Sequence, residues 1–281
     1  MANIPLITLN NGVKIPQLGL GVWQAENGRE VIDAVHAAID VGYRLIDTAA
    51  AYGNEEGVGK AIQTASVPRE ELFVTTKLWN GDHGYDNALR AFDDSLDRLG
   101  LDYVDLYLIH WPVPSRDMYV ETWQALEEIY KSGRAKAIGV CNFETEHLDK
   151  LLAHATITPA VNQIELHPRL QQHVLREYCE QKGIHIESWS PLGGGGDKLN
   201  LFDDVTIATI ADKHHKTPAQ IIIRWHLQLG LIVIPKSVHA ERIQQNANIF
   251  NFELDNDDMA KISALDTGTR RGPDPNAMNL H

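Results

Sequence analysis

Asp47, Lys77 and His110 each close an apolar run of the chain, and Tyr52 follows shortly after the first of them. A phenol titrates near ~10, too high to release its proton readily at neutral pH. An ammonium beside it stabilises the phenolate and lowers that value, the more so away from water. Lys77 is the candidate ammonium. Buried alone it would lose its charge, so it needs a carboxylate, and Asp47 is the candidate. A neutral His110 could then hydrogen-bond an oxygen on which negative charge develops and hold it in place. Together these groups suit delivery of a proton to a carbonyl oxygen. The carbon must receive a hydride, which no side chain donates, so that chemistry calls for a nicotinamide cofactor.

Taken singly, each residue has a plainer reading: Asp47 as a helix or loop cap, Lys77 as a surface charge, His110 as a satisfied core imidazole. A lysine at a strand end also serves imine-forming barrels as a Schiff-base nucleophile. A paired Asp47 argues against that, because imine chemistry needs a depressed lysine pKa. What favours the joint reading is position, which depends on the elements that carry the four side chains.

Strand-like runs occur at 17–22, 44–47, 72–77, 103–110, 135–140, 160–163, 185–189 and 231–235. Between them lie stretches with helical spacing, such as Val31, Ala34, Val35, Ala38 and Ile39, or Ala88, Leu89, Phe92, Leu96 and Leu99. Thr217-Pro218-Ala219-Gln220 reads as a capped helix start, with Gly230 placed to end that helix. Strands joined by helical crossovers run parallel, and eight of them close into an α/β (β/α)8 TIM barrel. The alternative is an open doubly wound sheet. A hairpin over 7–15, with Asn11-Gly12 at its turn, is expected to cap the bottom of the barrel. No linker or composition break divides residues 1–281, so one domain is expected.

The C-terminal ends of barrel strands share one mouth, where such folds place their chemistry. Asp47, Lys77, His110, Asn142, Gln163, Trp189 and Lys236 all fall at or just beyond those ends. Trp23, Trp79 and Trp111 also follow strand ends and would wall a substrate pocket, keeping water from the hydride path.

Bulk properties narrow the partners. With 25 basic against 38 acidic residues the net charge is −13, which disfavours nucleic acid or an anionic membrane surface. No apolar run approaches the roughly 20 residues of a membrane span, and the N-terminus lacks a signal-peptide pattern, so a cytoplasmic protein is expected. Cys141 and Cys179 are too few for a disulfide framework and read as reduced thiols. The 13 histidines show no metal-binding spacing, and no metal is expected. Gly19-Leu20-Gly21 lacks the third glycine of a dinucleotide fingerprint. With no interaction module evident, a monomer acting on a small molecule is the expectation.

The segments Gly42-Tyr43-Arg44-Leu45-Ile46-Asp47-Thr48-Ala49, Tyr52-Gly53-Asn54-Glu55, Thr76-Lys77-Leu78-Trp79, Leu106-Tyr107-Leu108-Ile109-His110-Trp111-Pro112, Asn162-Gln163-Ile164-Glu165-Leu166-His167-Pro168 and Ile234-Pro235-Lys236-Ser237 occur in that order. On them the chain resembles the aldo-keto reductases over essentially its whole length. Within that family it is most similar to the bacterial 2,5-diketo-D-gluconate reductases, through Lys216-Thr217-Pro218-Ala219-Gln220 and a short C-terminal tail. The resemblance implies a catalytic tetrad of Asp47, Tyr52, Lys77 and His110, with NADPH extended across the mouth. It implies Asn142 and Gln163 at the nicotinamide carboxamide, Trp189 on the ring, and Ser190, Leu192, Gly193 and the following glycines near the pyrophosphate. Lys236, Ser237 and Arg242 would hold the 2′-phosphate, and Asn246 would lie near the adenine. Small aldehydes and ketones, including 2,5-diketo-D-gluconate and methylglyoxal, are the implied substrates, and a non-catalytic NADPH-binding regulator is a further alternative.

Three positions depart from the commonest family pattern: Cys141 where serine is usual, Trp189 where tyrosine or phenylalanine is frequent, and Gln245 where glutamate commonly meets the adenine. None of them removes a catalytic group.

Overall fold

The computed structural model describes residues 3–194 and 199–280. Two short strands, β1 (Leu6–Thr8) and β2 (Lys14–Pro16), pair antiparallel. Eight parallel strands follow: β3 (Gly19–Gly21), β4 (Leu45–Asp47), β5 (Phe73–Leu78), β6 (Val104–Ile109), β7 (Ala135–Cys141), β8 (Val161–Glu165), β9 (His185–Trp189) and β10 (Ile232–Val233). Each of β3 to β9 is hydrogen-bonded to the next strand in sequence. Leu18 also pairs with Val233, Gly21 pairs with Lys236, and the Val233 N–H donates to the Gln17 carbonyl at 2.9 Å. The eight-stranded ladder therefore closes on itself, which selects the barrel over the open sheet.

The pleat sorts side chains onto two faces. Leu45, Phe73, Leu106, Leu108, Ala137, Val161 and Ile232 form one buried cluster, which also takes in Leu9 and Ile15 from the hairpin. Their neighbours Ile46, Val74, Tyr107, Ile109, Ile138, Ile164 and Val233 belong to a larger cluster with the helices. The first set fills the barrel interior and the second seals the barrel against its jacket of helices. The hairpin plugs the bottom: the Asn10 side-chain amide donates to the Pro159 carbonyl at 2.9 Å, and that of Asn11 to the Lys136 carbonyl at 3.0 Å.

The hairpin turn differs from the tight two-residue turn that Asn-Gly suggests. Gly12 N–H donates to Leu9 O and Leu9 N–H to Val13 O, and of these turn residues only Gly12 takes a positive φ, 87°. This is a three-residue loop with glycine at its left-handed position. Elsewhere the local signals hold. Thr217 and Gln220 exchange capping hydrogen bonds at the start of the helix Pro218–Gln228, and Gly230 follows its end at φ 74°. Glycine at position 19 lets the Leu45 side chain pass across β3: a Cβ there would lie 2.4 Å from Leu45 Cγ. Among the described residues no helix is long and apolar enough to cross a membrane.

Candidate active site

The apolar interior gives way to polar side chains toward the C-terminal strand ends. Asp47 ends β4, Lys77 lies next to last in β5, His110 and Asn142 come one residue after β6 and β7, and Trp189 ends β9. Gln163 sits inside β8, which runs on to Glu165, two residues beyond the expected end. Tyr52 is carried by a single 3₁₀ turn, Ala50–Tyr52, that Gly53 ends at φ 65°.

Lys77 is fully buried and organises the group. Its ammonium donates to Asp47 Oδ1 at 2.6 Å, to the Thr48 carbonyl at 2.9 Å and to the Tyr52 hydroxyl at 3.2 Å. It also lies 4.8 Å from the centre of the Tyr52 ring. Three donors thus have three acceptors. Burial works against charge on Lys77, but Asp47 and Tyr52 outweigh it and hold the ammonium above the usual lysine value. An ammonium held by three acceptors is not the free and weakly basic amine that the Schiff-base alternative requires.

Burial lifts the Asp47 carboxyl, opposed by Lys77 and by the Gln163 amide, which donates to Oδ2 at 2.8 Å. Two close donors favour the charged form of the carboxyl against that burial. Burial pushes the Tyr52 phenol up to about 12, against the pull of Lys77. The sequence argument expected a net lowering; loss of hydration outweighs the ammonium. The resting side chain is therefore a neutral phenol, a proton donor and not a base. Burial and the neighbouring Lys77 charge hold His110 well below the usual histidine value, so the ring is neutral. Its Nδ1 is buried without a hydrogen-bond partner, and its ring packs between Tyr52 and Trp79, with centroids at 5.7 Å and 5.4 Å.

These groups open onto a cavity of about 1000 Å³. Asp47, Tyr52, His110, Asn142, Gln163 and Trp189 line its inner part, with Trp79 and Trp111 beside them. Trp23 stands at the rim, 51% exposed. Ser190, Leu192, Lys236, Ser237, Arg242 and Asn246 line the remainder. Two expected positions are not on the wall. Lys77 lies behind Tyr52, and the Gly193 carbonyl turns away to accept from Arg271 Nη1 at 2.8 Å, leaving Gly194 on the cavity. Gly195 and Gly196 lie outside the described residues.

Sequence reading missed two buried acids and the tail. Glu187 accepts from Gln163 Nε2 at 3.0 Å, and burial beside Asp47 raises it to about 8. Its position inside β9, two residues before Trp189, could have signalled it. Because its folded pKa lies above the ordinary glutamate value, its contribution to stability is fully present below that value and is lost as the pH rises through about 8. Glu187→Gln, which keeps the shape and removes the titration, should flatten this part of the stability profile. Urea unfolding of both proteins across that range checks it; parallel profiles would show that Glu187 does not titrate there.

The tail after the helix Asn256–Ser263 crosses the mouth and adds Gly272, Pro273 and Met278 to the cavity wall. No periodicity marks its course. It is held by Glu165, wholly buried, which accepts from the Arg271 N–H at 2.7 Å, the Gly272 N–H at 2.8 Å and His167 Nε2 at 3.0 Å. Burial opposes the Glu165 charge, but these hydrogen bonds hold its carboxyl below the usual value. Asn80 Nδ2 donates to the Leu280 carbonyl at 2.8 Å and secures the far end. Glu165→Ala should strip two partly buried N–H groups of their acceptor, at up to about 1–3 kcal/mol each. Hydrogen exchange should then quicken across 271–280 while the barrel strands keep their protection; unchanged exchange in the tail would assign its hold to other contacts.

Among the described residues one acidic group is tight enough to share an ion, Asp255, Asp257 and Asp258. Its geometry has a local cause: Asp255 caps the last helix and Lys213 bridges Asp255 and Asp258. Cys141 and Cys179 are buried and free.

Residues 17–267 match the model of the Aldo/keto reductase family. The chain is 56% identical over 275 residues to methylglyoxal reductase DkgA of Escherichia coli (strain K12), covering 98% of each protein. It is 54% identical over 272 residues to glyoxal reductase of Bacillus subtilis (strain 168), covering 97% of this chain and 96% of that one. Among solved structures, a Gox0644 mutant in complex with NADPH superposes with a TM-score of 0.93 at 49% identity, covering 99% of both chains. A family match across most of the sequence, together with end-to-end likeness to these reductases, shows that the chain belongs to the aldo/keto reductase family.

Proposed function

We propose that this protein reduces small aldehydes and ketones to alcohols with NADPH, with Tyr52 as the proton donor. The observation that carries the reading is the Lys77 ammonium, set behind the cavity wall between Asp47 at 2.6 Å and the Tyr52 hydroxyl at 3.2 Å, both of which line the cavity. A neutral His110 beside Tyr52 can donate to the carbonyl oxygen and orient it. Lys77 stabilises the phenolate left after proton transfer, and Asp47 keeps Lys77 charged.

The cavity suits a phosphorylated dinucleotide. Its inner end offers two amides and an indole, and its outer end offers Lys236 and Arg242, a basic island in a chain of net charge −13. The bound cofactor supplies a hydride from its nicotinamide. Asn142 and Gln163 would hold the carboxamide, Trp189 the ring, and Ser190, Leu192 and the Gly193-Gly194 segment the pyrophosphate. Lys236, Ser237 and Arg242 would hold the 2′-phosphate, and Asn246 the adenine.

For substrate, the reading takes in methylglyoxal and related dicarbonyls, with 2,5-diketo-D-gluconate as a second class. Support comes from the tryptophan-walled inner cavity and from relatives named for methylglyoxal and glyoxal. The same proposal holds one barrel domain over 1–281, monomeric and cytoplasmic. Assaying NADPH and NADH against methylglyoxal, 2,5-diketo-D-gluconate and an aromatic aldehyde tests it: turnover with a preference for NADPH is expected. NADPH binding with no oxidation across the panel would favour a regulatory binder instead.

A further inference from the structure

We infer that strand β9 carries two positioning residues, Glu187 and Trp189, which lock the amides of Gln163 and Asn142 in opposite senses, so that the cavity shows a primary carboxamide one acceptor and one donor. The inference rests on the NADPH reading and deepens it.

Glu187 and Trp189 are two apart on one strand and so project to the same side, into the barrel. The Gln163 amide nitrogen lies 2.8 Å from Asp47 Oδ2 and 3.0 Å from Glu187 Oε2. The NH2 group sits between the two acids, because the reverse sense would press a carbonyl oxygen against the Asp47 carboxylate. Both amide protons are thereby engaged, and what Gln163 turns to the cavity it lines is its carbonyl oxygen. Asp47 alone would fix one proton and leave the amide free to turn the other outward. Glu187 supplies the second anchor that sets the plane. Its raised pKa lets it do so as a neutral carboxyl, without a second negative charge beside Asp47.

Asn142 is fixed the other way round. Its Nδ2 donates to the His110 carbonyl at 3.0 Å, and its Oδ1 accepts from Trp189 Nε1 at 2.8 Å. An indole N–H is a donor only, so it can meet only the amide oxygen. One Nδ2 proton remains for the cavity that Asn142 lines. A primary carboxamide, with a donor NH2 and an acceptor oxygen, complements this pair. An acetyl group in its place keeps the acceptor and loses the donor, so it loses the contact to Gln163.

The test is equilibrium binding, by quenching of tryptophan fluorescence or calorimetry, of NADP+ and of its acetylpyridine analogue. Wild-type protein should favour NADP+ by about tenfold or more, the factor expected from ~1.4 kcal/mol. Glu187→Leu should collapse that preference to about threefold or less, because Gln163 can then turn an N–H outward. Glu187→Gln, whose side-chain oxygen still accepts from Gln163, should restore it; a residue with a merely structural role would not move this ratio. Trp189→Phe, which keeps an aromatic face and drops the N–H donor, should weaken both ligands by a similar factor and leave the ratio in place. An undiminished preference in folded Glu187→Leu overturns the Glu187 assignment, and wild-type affinities in Trp189→Phe overturn the Trp189 assignment. Equal wild-type affinity for the two ligands overturns the amide reading while leaving NADP binding intact, whereas no binding of NADP+ overturns the cofactor proposal itself.

Discussion

Tyr52→Phe should bind NADPH as the parent does and lose about a hundredfold to ten-thousandfold of its turnover, the range that a positioned general acid contributes. The substitution removes one oxygen. Lys77 keeps its bonds to Asp47 and to the Thr48 carbonyl, and the ring stays beneath the ammonium, so the fold has no reason to change. What is lost is the proton. His110 cannot replace it cheaply, since burial and Lys77 keep that ring neutral and its remaining N–H proton is weakly acidic. NADPH titration by fluorescence and steady-state turnover with methylglyoxal separate the two effects. Near-parental turnover in a protein that binds NADPH would remove Tyr52 from the chemistry.

Lys77→Met carries the second large effect, on stability as well as on rate. Methionine fits the stem of the lysine but leaves Asp47 enclosed without its cation. Breaking a buried pair from one side costs about 3–5 kcal/mol. Asp47 is expected to respond by taking up a proton, so the loss should shrink as the pH falls. Turnover should fall at least as far as in Tyr52→Phe, because the phenolate then forms with no charge to stabilise it. The companion variant Asp47→Asn with Lys77→Met separates the causes: with neither charge present most of the stability should return, while activity stays low. Urea unfolding of the two single variants and the double variant closes the cycle. Strict additivity would mean that the 2.6 Å contact contributes no coupling.

The barrel was legible because its strands are short apolar runs separated by helices with clear amphipathic spacing, and because parallel strands buried on both faces admit few arrangements. Strand ends then predicted the site: Asp47, His110, Asn142 and Trp189 lie at or one residue past the ends of β4, β6, β7 and β9. Where the sequence was less informative, the cause lies in long-range packing. Tyr52 is lifted toward Lys77 by a 3₁₀ turn that no periodicity announces. The net rise of its pKa depends on enclosure by groups far apart in sequence. Glu187 reads as an ordinary strand residue until Gln163 and Asp47 are seen beside it. The last strand is pared to Ile232–Val233, although Ile234 N–H still donates to the Ser188 carbonyl at 3.3 Å and Lys236 still pairs with Gly21. The course of the tail was invisible because the groups it binds, Glu165, Asn80, Glu144 and the Gly193 carbonyl, are far from it in sequence.

The grip of Glu165 on main-chain N–H groups separates two demands on that tail. The Glu165 contacts ask only for a backbone in the right conformation at Arg271 and Gly272, and the side chains of Arg270 and Arg271 add bonds to Glu144 and the Gly193 carbonyl. Pro273, which is exposed and lines the cavity, can therefore be exchanged for residues of other size or polarity while the tail stays fastened, whereas Met278 is buried against Trp111 and Val113. Redesigning the pocket toward bulkier or more hydrophilic carbonyl compounds can begin at Pro273, with little expected disturbance to the proton-delivering centre beneath.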